Sequence, residues 1–482
     1  LDYTASWIKA EEDMPARTYF RFQRDFDFTN YTNDEIKEFM PSTRFSDQAD
    51  VLTLNRIRVD DKLKEDEDIA GMVNVEIPYD ITGRTSTVKF GGKYLTKNAK
   101  FTEVRLQLRN FPEDHTVGEG EFGFIGVIVD PNDTEYLGSE RVEYLDMSDD
   151  NYDATETIIA AYGMTTVNFT EKFSILAGLR FENTNNEYQT LAVESVNQET
   201  SDASYSSLLP SLHFTYRFTD NMNLRLAYSS GIARPDYNSL VPVEFRDDDA
   251  REISKGNPDL EPTTSNNFDL MFERYTPYLG LLSAGVYYKK MTNIIVSSTS
   301  TETLEYEGET QVYEVTMPIN GDNDATIYGF EVALNQRLNF LNAPFLNNFS
   351  IYANYTYTKA EMEVDGRYIP LGDSPEHIAN IALMYDNPEI GLSFVISNNF
   401  RDDILRSVGS DKYTDSYFES EYHLDISATQ RITKNLSVIL QLNNITDQEE
   451  TQIFGDPSES YSKLQQWAKF GSYGTLGVSF RL

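Results

Sequence analysis

The sequence predicts an all-β fold, a transmembrane up-and-down antiparallel β-barrel. Three observations carry this reading: apolar and polar residues alternate at period two in segment after segment, short and long connections alternate in strict succession, and helical periodicity is almost absent. The longest apolar run, Ile158 to Tyr162, falls far short of the ~20 residues that a spanning helix needs. A barrel strand shows lipid only every second residue, so a membrane barrel remains allowed.

The strands read cleanly. Met222, Leu224, Leu226 and Tyr228 point one way while Asn223, Arg225, Ala227 and Ser229 point the other. The same division holds for Leu436, Val438, Leu440 and Leu442, and near the C-terminus for Leu476, Val478, Phe480 and Leu482. About 17 or 18 such segments are long enough to cross a bilayer when tilted by ~45°. Turns rich in Asn, Asp, Thr, Lys and Pro fall at 168–172, 218–221, 275–278, 385–389 and 432–435. Between them lie long polar excursions near 112–152, 183–203, 235–262, 297–324, 360–374, 402–416 and 448–470. A barrel with all its tight turns on one membrane side and all its long loops on the other produces this order. Tyr and Phe crowd the segment ends, among them Phe169, Phe173, Phe214, Tyr216 and Phe218, as interfacial girdles do.

Charge and composition narrow the function. With 40 Lys and Arg against 78 Asp and Glu the net charge is −38, which argues against nucleic acid as a partner. The loop side is the more acidic, since Glu113 to Asp153 holds thirteen acids and one Arg. Zero Cys removes disulfides, thiol nucleophiles and thiolate metal sites. His115, His213, His377 and His423 lie far apart with no metal-ligand spacing, and His213 and His423 sit in alternating strands as hydrogen-bonded lumen residues. Gly91-Gly92 interrupts a strand pattern and reads as a bulge or a close approach of backbones. Asp247-Asp248-Asp249 lacks the register of a Ca²⁺ loop and reads as an acidic tip. No catalytic constellation, metal site or cofactor motif emerges, and an enzyme is not expected.

One constellation is specific. Gly231-Ile232-Ala233-Arg234-Pro235-Asp236-Tyr237 is followed by Gly256-Asn257-Pro258-Asp259-Leu260-Glu261-Pro262-Thr263 and then by Asn266 to Glu273. Pro235, Pro258 and Pro262 withhold ladder donors, so pairing should stop near Pro235 and resume at Thr263. Gly256 and Asn257 favour a tight turn between them. The segment resembles the "ARP … GNPxLxPT … NxDL..E" stretch in the barrel of TonB-dependent outer-membrane receptors. Ile159 to Met164 with Leu176 to Glu182, and Leu424 to Ala428 with Leu442 to Asp447 and the final strand Tyr473 to Leu482, look like the same family in the same order.

The resemblance covers nearly the whole chain and implies a barrel domain over residues 1–482, placed in a bacterial outer membrane. Import of a scarce solute, whether siderophore, cofactor, oligosaccharide or peptide, would be driven through the TonB complex. Members of the family carry an N-terminal plug and a barrel of 22 strands. Neither the plug nor a TonB-contacting segment is in this sequence, so Leu1 is expected to start partway through the barrel. Candidate solute contacts on the loop side are Arg234, Asp236, Tyr237, Arg246, Asp247 and Arg251, whereas Pro235, Gly256, Asn257, Pro258, Leu260 and Pro262 have mainly a structural role. Glu273 and Glu331 are expected to face the lumen and plug. Expected partners are TonB, the plug, outer-membrane lipids and a small solute. A passive pore, or a scaffold holding a surface lipoprotein, is the alternative.

Overall fold

The computed structural model describes residues 1–23, 53–81, 83–108, 145–146, 151–190, 200–241, 244–247, 251–276, 280–306, 309–321, 323–341, 343–364, 366–409 and 411–481. Sixteen strands form one antiparallel meander in which each pairs with its neighbours in sequence. They are β1 (Asp2–Gln23), β2 (Thr53–Ile81), β3 (Arg84–Leu108), β4 (Tyr152–Asn168), β5 (Phe173–Thr190), β6 (Thr200–Thr219), β7 (Met222–Ala233) and β8 (Thr263–Thr276). There follow β9 (Gly280–Thr292), β10 (Ala325–Arg337), β11 (Phe349–Val364), β12 (His377–Asn387), β13 (Leu392–Arg401), β14 (Glu421–Arg431), β15 (Leu436–Asn443) and β16 (Tyr473–Phe480). Short strands at Leu145–Asp146 and Arg367–Pro370 bring the sheet to eighteen.

Register makes the two faces unlike across the whole meander. From β7 to β14 one row of cross-strand partners reads Leu224, Phe272, Ala284, Val332, Tyr355, Ala379, Phe400 and Tyr422. The adjacent row, one residue along each strand and on the other face, reads Asn223, Glu273, Ser283, Ala333, Asn354, Asn380, Asn399 and His423. Because a one-residue slip would exchange these sets, the register is held by the difference between an apolar and a polar medium. The apolar face is bare: Leu208, Leu226, Val286, Ile381, Leu476 and Val478 all stand exposed. An unburied apolar band wrapped around so many strands is the surface of a protein solvated by lipid.

Aromatic rings bound the band. Next to the tight turns Phe349, Tyr385 and Phe394 cluster with centroids 4.8–6.0 Å apart, and Phe173 stacks on Phe214 at 6.4 Å. Toward the long-loop side Tyr228 meets Phe268 at 4.9 Å, and Phe330, Tyr355, Tyr357 and His377 cluster. Phe349 and Tyr357 are eight residues apart on β11. At ~3.4 Å per residue and a tilt near 40° they stand roughly 20 Å apart across the membrane, close to the ~25 Å of an outer-membrane apolar band.

The long connections are more ordered than the sequence predicts. The excursion expected over 183–203 is strand up to Thr190 and again from Thr200. The one expected over 360–374 keeps β11 going to Val364 and returns as Arg367–Pro370, and that over 297–324 is a hairpin of Ile295–Tyr306 with Glu309–Asn320. Strands that rise beyond the bilayer are wet on both faces, so they lose the alternation by which strands are recognised. Most of the excursion at 112–152 lies outside the described residues.

Gly91 shows why a glycine interrupts β3. A Cβ there would stand 2.5 Å from both Asn74 Oδ1 and Val73 O and 2.9 Å from the Tyr162 ring. Without it, Tyr162 reaches across to donate to Asn74 Oδ1 at 2.6 Å.

Candidate functional site

The central motif leaves the sheet where its prolines require. Pairing between β7 and β8 ends at Ala233 and Thr263, and the described residues between them, 234–241, 244–247 and 251–262, belong to a folded loop. Asp236 Oδ1 accepts from the Ser239 amide at 2.8 Å and so caps the single helical turn Tyr237–Leu240. Asn257 holds the second half: its amide N–H donates to Ser239 O at 2.7 Å, its Oδ1 accepts from the Asp259 amide at 3.0 Å, and its Nδ2 reaches Pro318 O at 3.0 Å. Leu240, Val241 and Leu260 are thereby buried against Tyr152, Ala154 and Tyr188. Those three lie on the inner face of β4 and β5, so the loop folds inward over the mouth. Pro235 and Pro262 are buried at its two ends.

Arg234 fastens this loop to the wall. Its guanidinium donates to Glu182 Oε2, approaches Thr184 Oγ1 at 3.4 Å and lies 4.0 Å from Glu156 Oε2. Arg180 Nε donates to the other oxygen of Glu182 at 2.6 Å, and Lys97 reaches Glu156 at 3.5 Å. Glu156 and Glu182 are both buried, and their burial is tolerated because cations on two strands, Lys97 and Arg180, and Arg234 of the loop surround them.

The neighbouring connections knit into the same crown. Glu244–Asp247 and Glu252–Lys255 extend the Ile295–Tyr306 and Glu309–Asn320 hairpin into a four-stranded sheet around Ile253, Tyr313 and Val315. Arg251 takes φ +58 at the turn between the first two, and its carbonyl accepts from the Glu314 amide at 2.8 Å. Ile294, Ala325, Met362, Ile369 and Leu405 form a second core that joins the connections after β9, β11 and β13. Arg367 grips buried Asp415 with two nitrogens at 3.0 and 3.3 Å and also donates to Gly409 O at 3.0 Å. Ile404–Ser407, Ser416–Phe418, Glu449–Phe454 and Lys463–Lys469 make a further sheet that joins the last two long connections.

Titration in the crown follows these contacts. Burial pushes Asp403 up, helped by Asp402, Glu419 and Asp456, although the Ser420 amide opposes it. The Thr414 hydroxyl and the Tyr413 and Thr414 amides hold Asp411 below the usual carboxylate range. Burial beside Asp415 and Asp456 pushes the Tyr417 phenol up to about 12.

The candidate residues thus separate. Arg234 and Asp236 are engaged in holding the loop. Arg246 and Asp247 lie in the four-stranded sheet at the mouth, Arg251 stands at the turn between its first two strands, and Tyr237 opens the helical turn. Asp248 and Asp249 lie outside the described residues. Glu273 pairs with Arg225 at 3.1 Å on the inner face, and Glu331 shares that face, opposite Gly285 and Thr356. Sequence reading missed the roles of Glu156, Arg180, Glu182, Arg367 and Asp415. The signal for the Arg180 and Glu182 pair was opposite charges two apart on the polar side of a strand. Among the described residues no group of three or more His, Asp or Glu is arranged to hold a metal ion.

Comparison with known proteins places this architecture. A family model described as TonB dependent receptor-like, beta-barrel matches residues 2–445. An iron-regulated outer membrane virulence protein of Vibrio cholerae is 23% identical over 256 residues, 52% of this chain and 37% of that protein. The ferric-catecholate import receptor Fiu of E. coli superposes with a TM-score of 0.61 at 13% identity over 99% of this chain and 61% of that one. FpvA of P. aeruginosa, in complex with a heterologous iron-loaded pyoverdine, gives 0.60 at 14% identity over 99% and 53%. The match therefore spans less than two thirds of each of these relatives.

Proposed function

The chain belongs to the family of TonB-dependent receptor-like β-barrels, proteins of the bacterial outer membrane, and on that premise we propose that it forms the wall and outer mouth of an importer for an iron-chelate solute of the siderophore class. The observation that carries this reading is the motif loop, which folds inward against Tyr152 and Tyr188 and is pinned by Arg234 to Glu182. A loop that only displayed a partner-binding surface would have no cause to bury its apolar residues on the inner wall. The choice of solute is supported by the ferric-catecholate import receptor and the pyoverdine-bound FpvA among the similar structures, and by the iron-regulated relative of Vibrio cholerae.

In this proposal Arg246, Asp247, Arg251 and Tyr237 meet the solute at the rim, while Arg234, Asp236 and the Gly256 to Pro262 turn position the loop that carries them. Glu273 and Glu331 face a plug inside the barrel, and the plug engages the TonB complex.

Uptake of radiolabelled ferric siderophores into cells tests it. Uptake should disappear when the gene for this chain is deleted and equally when TonB is deleted. Uptake that survives loss of TonB would make the protein a passive pore. Uptake indifferent to loss of this chain, with a surface lipoprotein released instead, would make it a scaffold.

A further inference from the structure

The outer wall carries a second feature that solute import does not use. Above the apolar band, on the outward face of β3 to β6, stand Thr96 and Asn98, Thr155 and Thr157, Asn183 and Asn185, and Ser204 and Ser206. Their outward orientation is plain on β5, where Glu182, Thr184, Asn186 and Tyr188 are buried while Phe181, Asn185 and Glu187 are exposed. Immediately below are the lipid-facing Tyr94, Ile159, Phe181 and Leu208, and above come Lys100, Asp153, Glu187 and Asp202. The polar tier is thus uncharged, two residues deep, or about 7 Å along each strand.

These side chains are tied to one another. Thr155 donates to Asn98 Oδ1 at 3.0 Å, Thr96 and Thr157 hydroxyls lie 3.4 Å apart, Asn183 Nδ2 donates to Ser206 Oγ at 3.0 Å, and Ser204 donates to Asn185 Oδ1 at 2.7 Å. The pairing fixes the rotamers and leaves the amide NH₂ groups of Asn98 and Asn185 and the outer lone pairs of the hydroxyls for a ligand. The same level of the wall elsewhere is built differently: on β9 to β11 it carries ion pairs, Lys290 with Asp324 at 2.7 Å and Lys359 with Glu361 at 2.9 Å.

We propose that this tier on β3 to β6 is a docking surface for the sugar headgroup of an outer-leaflet glycolipid. The surface continues the lipid-facing band without a break, so a molecule whose acyl chains cover Ile159, Phe181 and Leu208 sets its headgroup against it. Fixed hydroxyls and amides match the vicinal hydroxyls of a saccharide, whereas phosphate recognition would call for Lys or Arg, of which this tier has none.

The test offers the purified full chain in detergent two uncharged lipids with the same acyl chains, a diacylglycerol and its diglycosyl derivative, and counts the molecules retained by native mass spectrometry. The sugar-bearing form should be retained about fivefold better, the effect of one or two net hydrogen bonds. The double variant Thr157→Val with Asn185→Leu should lose that preference, and Lys359→Gln in the ion-paired sector should keep it. Equal retention of both lipids by the native chain would overturn the proposal whether or not the double variant folds, as would a preference that survives in a folded double variant.

Discussion

Replacing Arg234 with Ala should loosen the motif loop without unfolding the sheet. Breaking a buried ion pair by removing one partner costs about 3–5 kcal/mol. Here Arg180 still holds Glu182 at 2.6 Å, and the Arg234 side chain is 26% exposed, so roughly half that penalty, about 2 kcal/mol, is expected. At 1.4 kcal/mol per decade, the loop would open roughly thirtyfold more often. Hydrogen exchange at the Ser239 and Asn257 amides, both bonded within the loop, reads this opening directly. Adding Glu182→Gln should cost much less in the Arg234→Ala background than alone, because the two side chains share one interaction. Unchanged exchange in Arg234→Ala, or full additivity in the cycle, would refute the assignment of Arg234 as the fastening.

Other outcomes follow from the same geometry. Gly91→Ala should lower the yield of folded, heat-modifiable protein on unboiled gels, since its Cβ meets Asn74 and Val73 at 2.5 Å, whereas Gly92→Ala, with its nearest neighbour at 3.5 Å, should not. Leu226→Arg on the lipid face should destabilise the protein by ~2–4 kcal/mol in urea titrations from vesicles. Ala227→Arg, on the inner face opposite Asp269, should be tolerated. Asp415→Asn should weaken its paired hydrogen bonds with Arg367 and raise proteolysis of both 365–376 and 402–420, and a rise confined to one segment, or none in either, would contradict the link. Asp403, raised by burial, favours the folded crown most while protonated; its contribution is complete below the unfolded carboxylate pKa and is lost as pH rises through the folded value. Asp403→Asn should therefore flatten the rise in amide exchange of the Ser416–Phe418 strand across that window, and a slope unaltered by the variant would argue against it.

The membrane part was legible because its cause is local. Leu224 and Asn223 face different media, and a two-medium boundary writes itself into every strand as alternation. The ends of the motif loop were legible for a similar reason, since Pro235 and Pro262 act on their own backbone. The crown was not. The Ile295–Tyr306 strand is largely Ser, Thr and Glu, with neither face in lipid, and nothing in it announces a strand. The fastening of Arg234 was hidden because Glu182 lies 52 residues away and Glu156 further still. Glu182 was in view within a recognised stretch, but its partner is set by which strands adjoin.

The connections of the crown run in series, and this bears on how binding could be felt at the wall. The motif loop shares a sheet with the hairpin after β9, that hairpin shares the Ile294 and Leu405 core with the next two connections, and these share a sheet with the last. A solute that bridges any two of them biases all, because each junction is a buried core or a ladder, not a flexible surface pair. Among the described residues, one end of the series is pinned to the inner face by buried charge, at Arg234 and Glu182. Weakening Arg367 with Asp415 should therefore loosen the far connections while leaving exchange at Asn257 nearly unchanged. Weakening Arg234 should raise exchange at Asn257 and also, through the shared sheet, along Glu309–Asn320. An effect of equal size in both directions would mean that the crown has no fixed end.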